Sequence, residues 1–156
     1  MKYRQLTKEQ FEELHLEFAT FLAAQQIDIK EWNAIKKDKP KVAEEEMNIF
    51  SDVVWDKVMQ KANYLEHFSA NSINLFRCDA EEIHRVVVKI NKEGVNLLNT
   101  DDYNWFVDNS QDKSIEYFKG QKPYVKERNL EVFDLIEKGS VVSDGKLYEA
   151  VFKLIS

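Results

Sequence analysis

Tyr64-Leu-Glu-His-Phe68, Ile73-Asn-Leu-Phe-Arg-Cys78 and Ile83-His-Arg-Val-Val-Val-Lys-Ile90 follow one another closely in mid-chain. Each run is short and rich in β-branched and aromatic side chains. Ser69-Ala-Asn-Ser72 and Asp79-Ala-Glu-Glu82 separate them with polar residues suited to turns. Apolar runs spaced this way read as antiparallel strands joined by hairpins. The first run also fits a continuation of the helix before it. Ser114-Ile-Glu-Tyr-Phe118 has the composition of a fourth strand.

Helical patterns lie on both sides of this block. Thr7 and Gln10 form a capping box, with Leu6 and Phe11 at the staple positions. Phe11, Leu14, Phe18, Phe21 and Leu22 then recur at helical spacing, predicting a helix over 8–25. Asp28 and Glu31 repeat the capping logic for a shorter helix that Pro40 stops. A third helix is expected over 42–61, with Glu44, Glu45 and Glu46 in its first turn and Lys57 and Lys61 in its last, matching the helix dipole. Thr100 is the expected cap of a helix over 101–109. Further helices are expected over 125–138 and 144–155, with Gly139 ending the first. The four glycines are all expected at turns or helix ends. The fold class is α+β: N-terminal helices, a small antiparallel sheet of three or four strands, and C-terminal helices in a single domain, 1–156. Phe18, Phe50, Val54, Val87, Phe133 and Val151 are expected to share one buried cluster.

Composition bounds the function. With 44% hydrophobic residues in 156, the chain can bury a core without metals or disulfides. The single cysteine excludes an intramolecular disulfide, and no apolar run approaches the ~18 residues of a membrane span. With no apolar leader in the opening residues, a cytoplasmic protein without membrane association is expected. The net charge of −6 is uneven: residues 42–118 carry −8, and each flank carries +1. Net acidity disfavours contact with a phosphate backbone.

Few side chains carry chemical promise. Cys78 and His84 flank a hairpin, and a nucleophilic cysteine needs a base nearby. A buried, inert cysteine is the commoner outcome. His15, His67 and His84 lack ligand spacing, and no glycine-rich phosphate loop occurs, so no metal, cofactor or catalytic residue is assigned. Trp32, Trp55 and Trp105 could form an exposed patch, although tryptophan is usually buried. Two basic stretches stand out. Lys36, Lys37, Lys39 and Lys41 surround Pro40; Lys119, Lys122, Lys126 and Arg128 surround Pro123, near Tyr117, Phe118 and Tyr124. Basic residues among aromatics suit an acidic partner or single-stranded nucleic acid.

Met1-Lys-Tyr-Arg-Gln-Leu-Thr-Lys-Glu-Gln-Phe-Glu-Glu-Leu-His15, Val42-Ala-Glu-Glu-Glu46, Tyr64-Leu-Glu-His-Phe-Ser69 and Lys126-Glu-Arg-Asn-Leu-Glu-Val-Phe-Asp-Leu-Ile136 carry a resemblance. The chain resembles an uncharacterised family of small cytosolic proteins from Bacteroidota-type bacteria. The resemblance spans nearly the whole chain and implies a stand-alone domain, with no activity or ligand to carry over. The expected function is therefore a non-catalytic protein-interaction or accessory role with an unknown protein partner. The alternatives are an enzyme with a pocket around Cys78, His84 and Arg85, and a regulatory nucleic-acid binder using residues 36–41 and 119–128. Self-association is compatible with either role.

Overall fold

The computed structural model describes residues 1–156, which form two compact units, Met1–Val58 and Met59–Ser156. The first unit is helical: α1 (Lys8–Glu13), α2 (His15–Ala23), α3 (Ile29–Asp38) and α4 (Pro40–Lys61), whose last residues belong to the second unit. The capping box forms as expected. The Gln10 N–H donates to Thr7 Oγ1 at 3.2 Å, and the Thr7 N–H donates to Gln10 Oε1 at 2.9 Å. The single helix expected over 8–25 is two, broken at Leu14 (φ −100°, ψ 22°). There the His15 ring Nδ1 lies 2.8 Å from the Glu12 carbonyl oxygen, a side-chain bond that competes with regular helical pairing.

Asp28 caps α3 by accepting from the Glu31 N–H at 2.7 Å. Pro40 does more than stop α3. It also opens α4, at a position where a missing N–H is lost at no cost. The start is thus two residues earlier than expected, Glu44–Glu46 fall outside the first turn, and only Lys61 is in the last. Leu22, Trp32 and Ala43 are buried, with Phe18, Phe21, Ile27, Ile35 and Met47 packed around them. Phe50 is 3% exposed, and its ring centroid lies 6.0, 5.0 and 5.4 Å from those of Phe11, Phe18 and Phe21. Val54 and Phe18, expected to be fully buried, are half-buried.

The second unit is built on β1 (Tyr64–Phe68), β2 (Ser72–Cys78), β3 (Glu82–Ile90), β4 (Ile115–Pro123) and β5 (Val141–Ser143). They form one antiparallel sheet in the order β4-β3-β2-β1-β5. The first apolar run is a strand, as the hairpin reading holds. The sheet nevertheless has five strands rather than three or four. The fourth also runs five residues past Phe118, which places Gly120 inside a strand instead of at a turn. α5 (Thr100–Asp108) is capped by Asn99 and not by Thr100: the Asp101 N–H donates to Asn99 Oδ1 at 2.9 Å. α6 (Arg128–Glu137) and α7 (Lys146–Leu154) complete the unit.

Alternation along the strands divides the side chains between two faces. Ile73, Leu75, Val86, Val88, Ile90 and Ile115 share one face and pack with Phe106 of α5 and Tyr148 and Val151 of α7. Val87 lies between two of these core residues and therefore points to the opposite face, where it is only half-buried. The six residues expected in one cluster therefore do not share it: Val87 faces away, and Phe18, Phe50 and Val54 belong to the first unit. Gly145 takes φ +81° at the start of α7, and a Cβ there would lie 2.4 Å from Tyr64 Cδ2, so no other residue fits.

Candidate binding groove

Chemistry-bearing residues gather at the β2–β3 turn. Arg77 Nε donates to Asp79 Oδ1 at 3.1 Å, and Arg77 Nη2 to Asp79 Oδ2 at 3.1 Å. His84 Nε2 lies 3.1 Å from Asp79 Oδ2 and 3.2 Å from Glu82 Oε1. Cys78 pairs with Ile83 across the hairpin and His84 with Arg77, so the two side chains leave opposite faces of the sheet. The cysteine–histidine pair considered from sequence is not brought together. Cys78 is 3% exposed, and burial pushes its thiol up to about 11. A cleft beside it is lined by Gln60, Asn63, Tyr64, Arg77, Asp79 and Arg128. The polar groups there are largely bound to one another or to the main chain. The Tyr64 hydroxyl, for instance, donates to Glu149 Oε1 at 2.7 Å.

Arg128 explains much of that local order. Its Nη1 donates to the Met59 carbonyl at 2.8 Å and to Asn129 Oδ1 at 2.9 Å. Its Nη2 donates to the carbonyls of Ala62 at 2.8 Å and Cys78 at 3.0 Å, and its Nε to that of Asp79 at 3.2 Å. The guanidinium thus gives a donor to the Ala62 carbonyl and a second one to that of Met59, which also accepts from the Ala62 N–H at 3.1 Å, and ties the C-terminal end of α4 to the β2–β3 turn. Tyr124 reaches the same turn: its hydroxyl donates to the Asp79 carbonyl at 2.8 Å, and burial is the main reason it is pushed up to about 12.

The other basic residues singled out from sequence are exposed. Lys36, Lys37, Lys39 and Lys41 lie where α3 gives way to α4, and Lys36 Nζ stands 5.9 Å from the Trp32 ring centroid. Lys119, Lys122 and Lys126 belong to the second unit. There Lys122 and Lys126 line a groove of about 790 Å³ on the sheet face away from α5 and α7, whereas Lys119 turns to the other face, its Nζ 5.4 Å from the ring of Phe152 in α7. Phe76, Arg85 and Val87 come from β2 and β3, and Phe118, Gly120 and Lys122 from β4. Glu131, Asp134, Leu135 and Lys138 face them from the α6 side. The apolar surface is accessible: Phe118 is 50% exposed and Val125 86%.

Charge in the groove runs against that of the chain. Arg85, Lys122, Lys126 and Lys138 line it against the two carboxylates of Glu131 and Asp134. One of those carboxylates is engaged, since Lys126 Nζ donates to Asp134 Oδ2 at 2.6 Å, a bond that raises the Lys126 ammonium. Arg85 is held in place by Asn74, whose Oδ1 accepts from Arg85 Nε at 3.0 Å, and by the Phe76 ring 5.8 Å away. Lys122 and Lys138 form no ion pair within the chain. No group of three or more His, Cys, Asp or Glu side chains is placed to hold a metal ion, and no helix is long and apolar enough to cross a membrane.

Trp32 and Trp55 are buried and Trp105 half-buried beside Lys92, so the tryptophans do not make the exposed aromatic surface. Phe118 does. The sequence signal for the groove was the basic stretch after Phe118. Arg85, expected in a pocket with Cys78 and His84, lies instead in this groove, and Lys138 carried no signal, because only the strand register and the position of α6 bring them there. Neither a curated protein nor a solved structure matches the chain. A family does match it across residues 1–156: the chain belongs to the family of unknown function DUF6495.

Proposed function

We propose that the chain is a non-catalytic binding protein of the cytoplasm, and that its groove holds an acidic protein partner. One observation carries the reading. On a chain of net charge −6, four cations and two carboxylates line a groove whose apolar side chains, Phe118 and Val125, are left in water. Exposed apolar surface with a rim of one sign is a usual mark of a recognition site, and complementary charge steers encounter and selects partners. Lys36, Lys37, Lys39 and Lys41 provide a second basic surface on the first unit, to be tested separately.

The test is affinity capture from the native cell with the parent protein and with Lys122→Glu/Lys138→Glu. Both side chains are exposed and unpaired, so the double variant should melt as the parent does. A genuine partner is retained by the parent, lost on charge reversal, and released between about 0.05 and about 0.3 M salt as screening shortens. Capture of the same proteins by both, regardless of salt, defeats the reading.

A further inference from the structure

The groove has one side formed by a sheet edge. β4 pairs with β3 alone and is the outermost strand, and every residue from Phe118 to Pro123 is exposed. Half of its main-chain N–H and C=O groups therefore point away from β3, with no strand to receive them. At the other edge, β5 has only three residues. β4, with nine, is long enough to accept another strand.

Gly120 sits at the middle of this edge. Its backbone does not require glycine, since its φ lies outside the left-handed range, and a Cβ would meet nothing within 4 Å. Glycine inside a strand weakens it, and such a residue often marks the close approach of another backbone or ligand. Here it pairs across the sheet with Arg85. The missing side chain leaves open space on this face beside Arg85, whose guanidinium turns to Asn74 and Phe76 of β2. Phe118 and Lys122 flank Gly120 two residues away on the same face.

Resting on the binding function given above, we propose that the partner contributes an extended segment that adds to the sheet along β4. Its acidic side chains lie over Gly120 toward Arg85 and beside Lys122, and its apolar ones rest against Phe118. Charge argues against a second copy of the same strand. Pairing β4 with itself would join two strands that each carry Lys119 and Lys122 against Glu116 alone, and a like net charge on both strands disfavours that pairing. An acidic strand meets the opposite sign. Main-chain bonds would provide affinity and alternate side chains specificity, as in other strand-addition sites.

The probe is a fluorescein-labelled peptide of about ten residues in which every second residue is threonine and the residues between are glutamate and phenylalanine in turn, so that acidic and apolar side chains share one face of the strand, read by fluorescence anisotropy. Two further peptides carry N-methyl groups on alternate residues, one on the odd set and one on the even set. A strand added to β4 bonds through only one set. One methylated peptide should therefore bind at least tenfold more weakly than the parent peptide, and the other nearly as well. Gly120→Val should weaken binding at least tenfold while melting at or above the parent temperature. Hydrogen exchange should slow within Ile115–Pro123 when the peptide is bound. Equal binding by both methylated peptides overturns strand addition but leaves the acidic-partner reading standing. That reading falls separately, in the capture experiment. Absence of binding up to about 1 mM peptide, or full binding to Gly120→Val, also overturns the proposal.

Discussion

Replacing Arg128 with alanine tests whether this cation is a support of the fold or part of a recognition surface. Four of its hydrogen bonds go to main-chain carbonyls, those of Met59, Ala62, Cys78 and Asp79. The first three belong to residues no more than 3% exposed. A bond to a charged donor contributes about 1.5–3 kcal/mol net, so four would set an upper figure of about 6 kcal/mol even at the low end. Arg128 lines an open cleft, however, and water entering after truncation can reach part of what is lost. The expected cost is about 3–5 kcal/mol. For a chain of this length that lowers the melting temperature by about 10–15 °C. Arg128→Lys should recover little, because one ammonium cannot span two helix carbonyls and two turn carbonyls at once. Urea titration followed by tryptophan fluorescence and circular dichroism measures both variants. A loss below about 1 kcal/mol for Arg128→Ala would show that water replaces the guanidinium, and the clamp would be refuted.

Other perturbations are as specific. Phe50→Ala should cost about 3–5 kcal/mol, because the ring is enclosed by Phe11, Phe18 and Phe21; unchanged melting would make α4 peripheral to its own unit. Alkylation of native Cys78 at neutral pH should be at least about a hundredfold slower than that of a free thiol, and fast labelling would contradict its burial. The same thiol predicts a pH effect. Its folded pKa is raised to about 11 from an unfolded value near 9, so the contribution is complete below about pH 9 and is lost as pH rises through 11. Over that window the parent should lose about 2–3 kcal/mol more than Cys78→Ala, and parallel urea-derived stability curves would refute this.

Local chemistry was legible in the sequence wherever one residue type dominates an outcome. Thr7 and Asp28 cap where their spacing puts them, and the three apolar runs make a meander because polar turns separate them. β4 beyond Phe118 was hidden. Lys119-Gly-Gln-Lys-Pro123 has no apolar alternation, because an edge strand facing water needs none. β5 is three residues long, too short for any periodicity. Leu14 carried no breaker signal; the break involves the neighbouring His15 ring. The basic residues were visible as charge, but their roles were not. Arg128 and Lys126 lie two positions apart, yet one binds main-chain carbonyls and the other an exposed carboxylate. Backbone acceptors leave no trace in a sequence. The groove was legible only in its β4 portion, since its opposite side depends on where α6 is carried by the fold.

The strand order β4-β3-β2-β1-β5 also has a kinetic meaning. β1, β2 and β3 are joined through residues 69–71 and 79–81, so each pairing closes a very short loop. β5 returns to β1 only after residues 69–140 have intervened. Loop-closure entropy makes that last pairing costlier by about 3 kcal/mol before any contact rewards it. The meander can therefore assemble as the nucleus, while β5 and the helix after it dock late. Substitutions at Val86 or Leu75 should slow refolding, whereas substitutions at Val142 or Val151 should mainly hasten unfolding. The C-terminal segment is accordingly the part of the sheet whose packing governs how long the folded state lasts once formed.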